Sequence, residues 1–205
     1  MLLIRTFALL TLTSVVTGCL GVSPYLKPKR APYTVEEIQK AFSEEETAQP
    51  EHALLHSLLG AWSGEFRKQL SADSPQLIQS VTVDSELRFG EKFVEFRYKT
   101  DSLDGVMYFG YELPNYNYVV AQVGSDLSQL RSLRGAYNAQ TKELKLFGGY
   151  QTPLNGDRVN VECRLFFGDN RVDIEFYEKD KRLDKLFKSS EFHLERGVTA
   201  HTPHR

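Results

Sequence analysis

The segment Leu77-Ile78-Gln79-Ser80-Val81-Thr82-Val83-Asp84-Ser85-Glu86-Leu87-Arg88-Phe89-Gly90-Glu91-Lys92-Phe93-Val94-Glu95-Phe96-Arg97-Tyr98-Lys99-Thr100 carries the period on which the architecture is built. Val81, Val83 and Leu87 alternate with Thr82, Asp84, Glu86 and Arg88. Val94, Phe96 and Tyr98 alternate with Glu95, Arg97 and Lys99. A period of two places each apolar set on one face of a strand and each polar set on the other. Phe89-Gly90-Glu91 separates the two runs with turn chemistry, so the pair reads as an antiparallel hairpin.

The same period continues in both directions. It predicts strands at Trp62–Gln69, Leu77–Phe89, Lys92–Thr100, Val106–Glu112, Tyr116–Val123, Leu130–Tyr137, Glu143–Phe147, Arg158–Phe167, Arg171–Tyr177 and Arg182–Leu194. Turn residues fill the breaks: Leu103-Asp104-Gly105, Pro114-Asn115, Asn155-Gly156-Asp157, Gly168-Asp169-Asn170 and Lys179-Asp180-Lys181. Short connections make consecutive strands antiparallel neighbours. An open meander of ten strands exposes two edges, and closure removes them. The expected fold is therefore all-β: a closed antiparallel up-and-down barrel of about ten strands, of a size that can hold one small ligand. A two-sheet sandwich is the competing architecture, and no long crossover supports it.

Two short helices are expected ahead of the barrel. Thr34-Val35-Glu36-Glu37 is a capping box, and Val35, Ile38 and Phe42 share one helical face, which predicts an amphipathic helix in segment 34–49. Pro50 suits a first helical turn, Leu54, Leu55, Leu58 and Leu59 form an apolar stripe, and Gly60 can end it. That stripe is expected to cover one end of the barrel domain, 50–195. Residues 196–205 read as a disordered tail and 19–33, with Pro24, Pro28 and Pro32, as a tether.

At the start of the chain, Arg5 precedes an uncharged run from Thr6 to Val16, and Gly18-Cys19 ends it. A charged start, a short apolar stretch and a small residue at the cut describe a signal peptide over 1–18. Cysteine directly after the cut resembles the lipobox of bacterial lipoproteins. The resemblance implies lipidation at Cys19, a membrane as partner through that anchor and, with Leu20 rather than Asp next, the outer membrane with the domain facing the periplasm. Several acyl chains anchor stably where a single one does not.

Without the first 18 residues, 24 Lys and Arg stand against 27 Asp and Glu. This balance offers no basic field for nucleic acid. Cys163 then has no cysteine to pair with, and its alternation with Val159, Val161 and Leu165 marks it as a small buried apolar residue.

His52, Leu55, Leu58, Gly60 and Trp62 form a His-x-x-Leu-x-x-Leu-x-Gly-x-Trp array, and Gly60-Ala61-Trp62 resembles the Gly-x-Trp opening of lipocalins. With Phe109-Gly110-Tyr111-Glu112 and Leu133-Arg134-Gly135-Ala136-Tyr137-Asn138, the array is similar to a bacterial family of lipocalin-like, calycin-type barrels known as a domain of unknown function. The similarity covers about 50–195. That family carries further tryptophans in its middle strands, whereas this chain has one Trp, with Tyr116 and Tyr118 in the corresponding region. The resemblance supplies no catalytic residue.

His52 and His56 lie four apart on a helix, but Ala53 stands where a zinc hydrolase needs Glu, so no metal site is expected. His193 falls in a late strand, the position from which nitrobindins, barrels of related shape, ligate haem. Alternation sets it opposite Phe192 and Leu194, and no cofactor is expected. Arg131 and Arg134 are three apart and face opposite sides of one strand, so one points inward. The expected function is non-catalytic binding of a small apolar or amphipathic ligand, lined by Trp62, Phe96, Tyr98, Phe109, Tyr111 and Arg134. A filled barrel that binds another protein and a haem-binding barrel are the alternatives.

Overall fold

The computed structural model describes residues 33–46, 48–127, 129–152 and 155–197. The expected signal peptide over 1–18, Cys19 and residues 198–205 lie outside them, as does the expected tether apart from Tyr33. Helix α1 (Val35–Glu46) opens on the expected capping box: the Thr34 amide donates to Glu37 Oε2 at 2.8 Å and the Glu37 amide to Thr34 Oγ1 at 3.1 Å. Val35 and Ile38 are exposed. Helix α2 (His52–Leu55) runs into a 3-10 turn, His56–Leu58.

Ten strands follow. They are β1 (Gly60–Lys68), β2 (Leu77–Arg88), β3 (Phe93–Thr100), β4 (Asp104–Glu112), β5 (Asn117–Gly124), β6 (Arg131–Asn138), β7 (Glu143–Gln151), β8 (Arg158–Phe167), β9 (Arg171–Asp180) and β10 (Lys185–Arg196). Each pairs with the next, antiparallel, and β1 pairs with β10 from Trp62↔Arg196 to Lys68↔Ser190. The sheet is a closed up-and-down barrel, not a sandwich.

Two strands depart from simple alternation. β7 continues beyond Phe147 through Gly148 and Gly149 to Gln151, because the partner backbone lies close: a Cβ on Gly148 would sit 2.2 Å from the Ser132 carbonyl oxygen. β10 carries a bulge at Ser189, where Lys188↔Tyr177 is followed by Ser190↔Phe176. The extra residue restores the inward face for Ser190, Phe192 and Leu194. β10 also reaches Arg196, one residue past the expected domain end, because Arg196 is anchored. Its guanidinium stacks over Trp62 at 4.4 Å and donates to the carbonyls of Leu59 at 2.9 Å and Ser57 at 3.1 Å.

The middle of the barrel is solid. Phe96 and Phe109 meet edge to face at 5.7 Å, and Met107, Leu133, Leu144, Leu146, Cys163, Leu165, Ile174 and Phe176 fill the space around them. Leu55 and Leu58 cover the end at which β1 begins, where Trp62 Nε1 donates to the Leu58 carbonyl at 2.8 Å. Gly60 makes the turn from helix to strand at φ 107°, a conformation open to glycine. On the outer face, Glu95 is 5 % exposed and is held by Arg88, Arg97 and the Tyr108 hydroxyl.

Removing Phe96 leaves a hole in this middle layer. Phe96→Ala is expected to lower the free energy of unfolding by about 3–5 kcal/mol, measured by chemical denaturation. Arg134→Ala, on the outer surface, is expected to leave the denaturation midpoint nearly unchanged. Equal effects of the two would contradict the packing described.

Candidate ligand-binding cavity

The filled layer stops before the end opposite the helices. There the strand ends leave a cavity of about 260 Å³. Its apolar floor is aromatic, with Phe66 and Phe192 4.7 Å apart and Tyr98 5.2 Å from Phe192. Leu70, Leu103 and Leu127 contribute at the mouth.

Tyr98 fits because two glycines make room for it. Its register partner is Gly105, which pairs in turn with Gly124. A Cβ on these glycines would lie 2.3 and 2.7 Å from the Tyr98 hydroxyl. Burial pushes the Tyr98 phenol above its ordinary pKa.

The polar wall comes from β5, β6, β7 and β9. Gln122 is 7 % exposed and donates through Nε2 to the Tyr98 hydroxyl at 3.4 Å. The Arg131 guanidinium lies 4.4 Å over the Tyr150 ring, and its Nη2 is 3.7 Å from Glu178 Oε1. The Tyr150 hydroxyl donates to Glu178 Oε2 at 3.0 Å, and burial first, then Glu178, pushes its pKa up to about 12. Among the described residues nothing partners Gln122 Oε1 or Arg131 Nε, both buried. At the lip Lys68 pairs with Asp126 at 2.5 Å. The charges named here therefore cancel in pairs.

Of the expected lining residues, Tyr98 lies in this cavity. Trp62, Phe96 and Phe109 belong to the filled core. Tyr111 sits at the covered end, edge-on to His52 at 5.9 Å and 5.0 Å from Tyr118. Arg134 as a lining residue is corrected: it faces outward and binds Glu112 at 3.1 and 3.2 Å. Arg131 is the inward arginine, because it shares the face of Leu133, which is 1 % exposed. Gln122, Tyr150 and Glu178 were not among the expected residues. Gln122 and Glu178 had a signal in the sequence, a polar residue at an inward position: Gln122 follows Tyr118 and Val120, and Glu178 follows Val172, Ile174 and Phe176.

His193, the residue on which the haem alternative rested, lies on the outer face. Its Nδ1 is 2.7 Å from Asp173 Oδ1 and its Nε2 3.3 Å from Glu191 Oε2. Cys163 is fully buried, which raises its thiol pKa and keeps the nucleophilic thiolate scarce.

A closed ten-stranded barrel, covered at one end by helix and hollow at the other, is thus the class of domain this chain forms. The chain belongs to the family described as a protein of unknown function (DUF1579), whose model matches residues 47–183, well over half of the 205 residues. The match begins ahead of α2 and stops in the β9–β10 turn, so the closing strand lies beyond it. No curated protein matches the chain.

At the covered end His52 is buried, with Nδ1 accepting the Gln49 amide at 2.9 Å. Burial holds its imidazole below the ordinary 6.5, with His56 and Lys92 lowering it further against the opposing pull of the Gln49 backbone and Glu51. The unfolded chain takes up this proton near 6.5 while the native chain resists it. Stability is therefore full above that pH and declines as pH falls toward the depressed native value. Denaturation midpoints at about pH 7.5 and 5.5 are expected to differ less in His52→Gln than in the parent. An unchanged difference would mean that His52 does not carry this dependence.

Proposed function

We propose that this protein is a lipid-anchored binding protein of the bacterial envelope, whose barrel holds a small amphipathic molecule without transforming it. The observation that carries the reading is the cavity: an aromatic floor facing a polar wall that contains two buried, unpartnered atoms. A convergent set of a few polar groups in an apolar hollow is the form of a small-molecule site. The anchor rests on the Gly18-Cys19 junction behind an uncharged run. No helix among the described residues is long and apolar enough to cross a membrane.

The filled middle of the barrel keeps a second reading in play, a domain that binds a protein partner on its surface. Native mass spectrometry of the chain purified from a bacterial envelope separates the two: a co-purifying small mass is expected, and an empty chain favours the surface reading. An intense Soret absorption would instead return the haem alternative.

Anchoring has its own test. The full chain expressed in a Gram-negative host is expected to incorporate labelled palmitate and to sediment with the outer membrane. Cys19→Ser is expected to lose the label. Label retained in that variant would remove Cys19 as the anchor.

A further inference from the structure

Gln122 and Arg131 are directly opposed in the register of β5 and β6, and both side chains enter the cavity. Opposed side chains on a sheet have Cβ atoms about 5 Å apart. The two unpartnered atoms, Gln122 Oε1 and Arg131 Nε, therefore belong to neighbouring side chains of the same wall. One accepts a hydrogen bond and the other donates one. A ligand head that both donates and accepts satisfies the pair. A head that only accepts leaves the Gln122 oxygen against another lone pair, and a head that only donates leaves the Arg131 N–H against another hydrogen.

Charge narrows the head further. Glu178 stands 3.7 Å from the Arg131 guanidinium, and Lys68 is taken by Asp126. A ligand carboxylate would meet an arginine already offset by a carboxylate, and a ligand ammonium would find no free anion in the wall. Burying either charge unpaired is unfavourable. The volume limits the tail: about 260 Å³ falls just below the roughly 300–1,000 Å³ typical of drug-sized ligands. A long acyl chain does not fit within it.

Resting on the reading of the barrel as a binding domain, we propose that the cavity selects a short, uncharged amphipathic molecule: a carboxamide or an alcohol with an apolar tail of about six carbons. The head sits on the Gln122–Arg131 pair. The tail lies on Phe66, Phe192 and the Tyr98 ring. The site discriminates against the carboxylate and the amine that carry the same tail.

The test is a titration series on the chain from Cys19 onward with Cys19→Ser, which contains every described residue. Hexanamide, 1-hexanol, hexanoate and hexylamine are titrated calorimetrically near neutral pH, where the last two are charged. Hexanamide and hexanol are expected to bind at least about tenfold more tightly than the charged pair. In Gln122→Leu, which keeps nearly the same bulk and removes the free acceptor, that preference is expected to shrink about tenfold. Should the variant fail to fold, the parent series alone decides. Hexanoate or hexylamine binding most tightly would overturn the head chemistry and leave the binding function standing. No binding by any of the four, with native mass spectra also empty, would overturn both and leave a cavity that holds water only.

Discussion

Pairing of β1 with β10 is the constraint on which everything else depends. The other nine neighbour pairs join consecutive strands through short connections, and such a meander would lie open without the last pair. The contact spans the chain, from Trp62↔Arg196 to Lys68↔Ser190, so its loop-closure entropy must be met by packing that forms at the same time. Trp62 and Arg196 supply that packing at the seam. The indole is buried, the guanidinium lies on its face, and both side chains hydrogen-bond to carbonyls of the segment that covers the barrel end. Closing the sheet and covering its end are one event at these two residues. The family match stops short of β10, yet the fold cannot shut without it.

Closure then decides where a ligand can go. A barrel of about this strand number is either filled by its own side chains or left wide enough to hold one small ligand. Phe96, Phe109, Phe176 and the surrounding aliphatic residues use the space in the middle. Leu55, Leu58 and Trp62 use it at the helical end. The opposite end keeps the cavity, and there the inward positions turn polar: Gln122 beyond Val120, Arg131 before Leu133, Tyr150 beyond Leu146 and Gly148, Glu178 beyond Phe176. The filled-barrel and hollow-barrel pictures thus describe two halves of one interior.

Much of this architecture was legible in the residues because strand alternation is a local signal. The segments Leu77–Phe89 and Lys92–Thr100 give their own facing pattern and turn, and their register in the structure, Val83↔Tyr98 among its pairs, follows from it. The β10 bulge was not legible, since Lys188-Ser189-Ser190-Glu191 contains no apolar residue to mark the slip of face. The glycine pair in β7 reads as a break, and only the nearness of Ser132 on β6 shows why a strand continues through it. The cavity was illegible for a different reason. Whether Phe96 lines a hollow or fills one depends on the summed volumes of side chains from all ten strands, a long-range quantity that no single segment holds. The inward arginine was legible as Arg131, because Leu133 fixes the inward face of that strand and Arg134 falls on the other.

The polar wall makes its strongest argument through what it costs. A buried group with no hydrogen-bond partner lowers stability by about 1–3 kcal/mol, and here two stand side by side on one cross-strand pair. Apolar side chains of similar size at 122 and 131 would continue the packing of Val120 and Leu133 to the barrel mouth and remove both penalties. Yet the arginine is held in place from two sides, stacked on Tyr150 and facing Glu178, and Tyr98 is seated against two glycines beside Gln122. Support built around groups that weaken the fold is the pattern of a site kept for what it binds. The solid part of the interior makes that arrangement tolerable, since the layer of phenylalanine and leucine beneath it supplies the stability that the open end gives up.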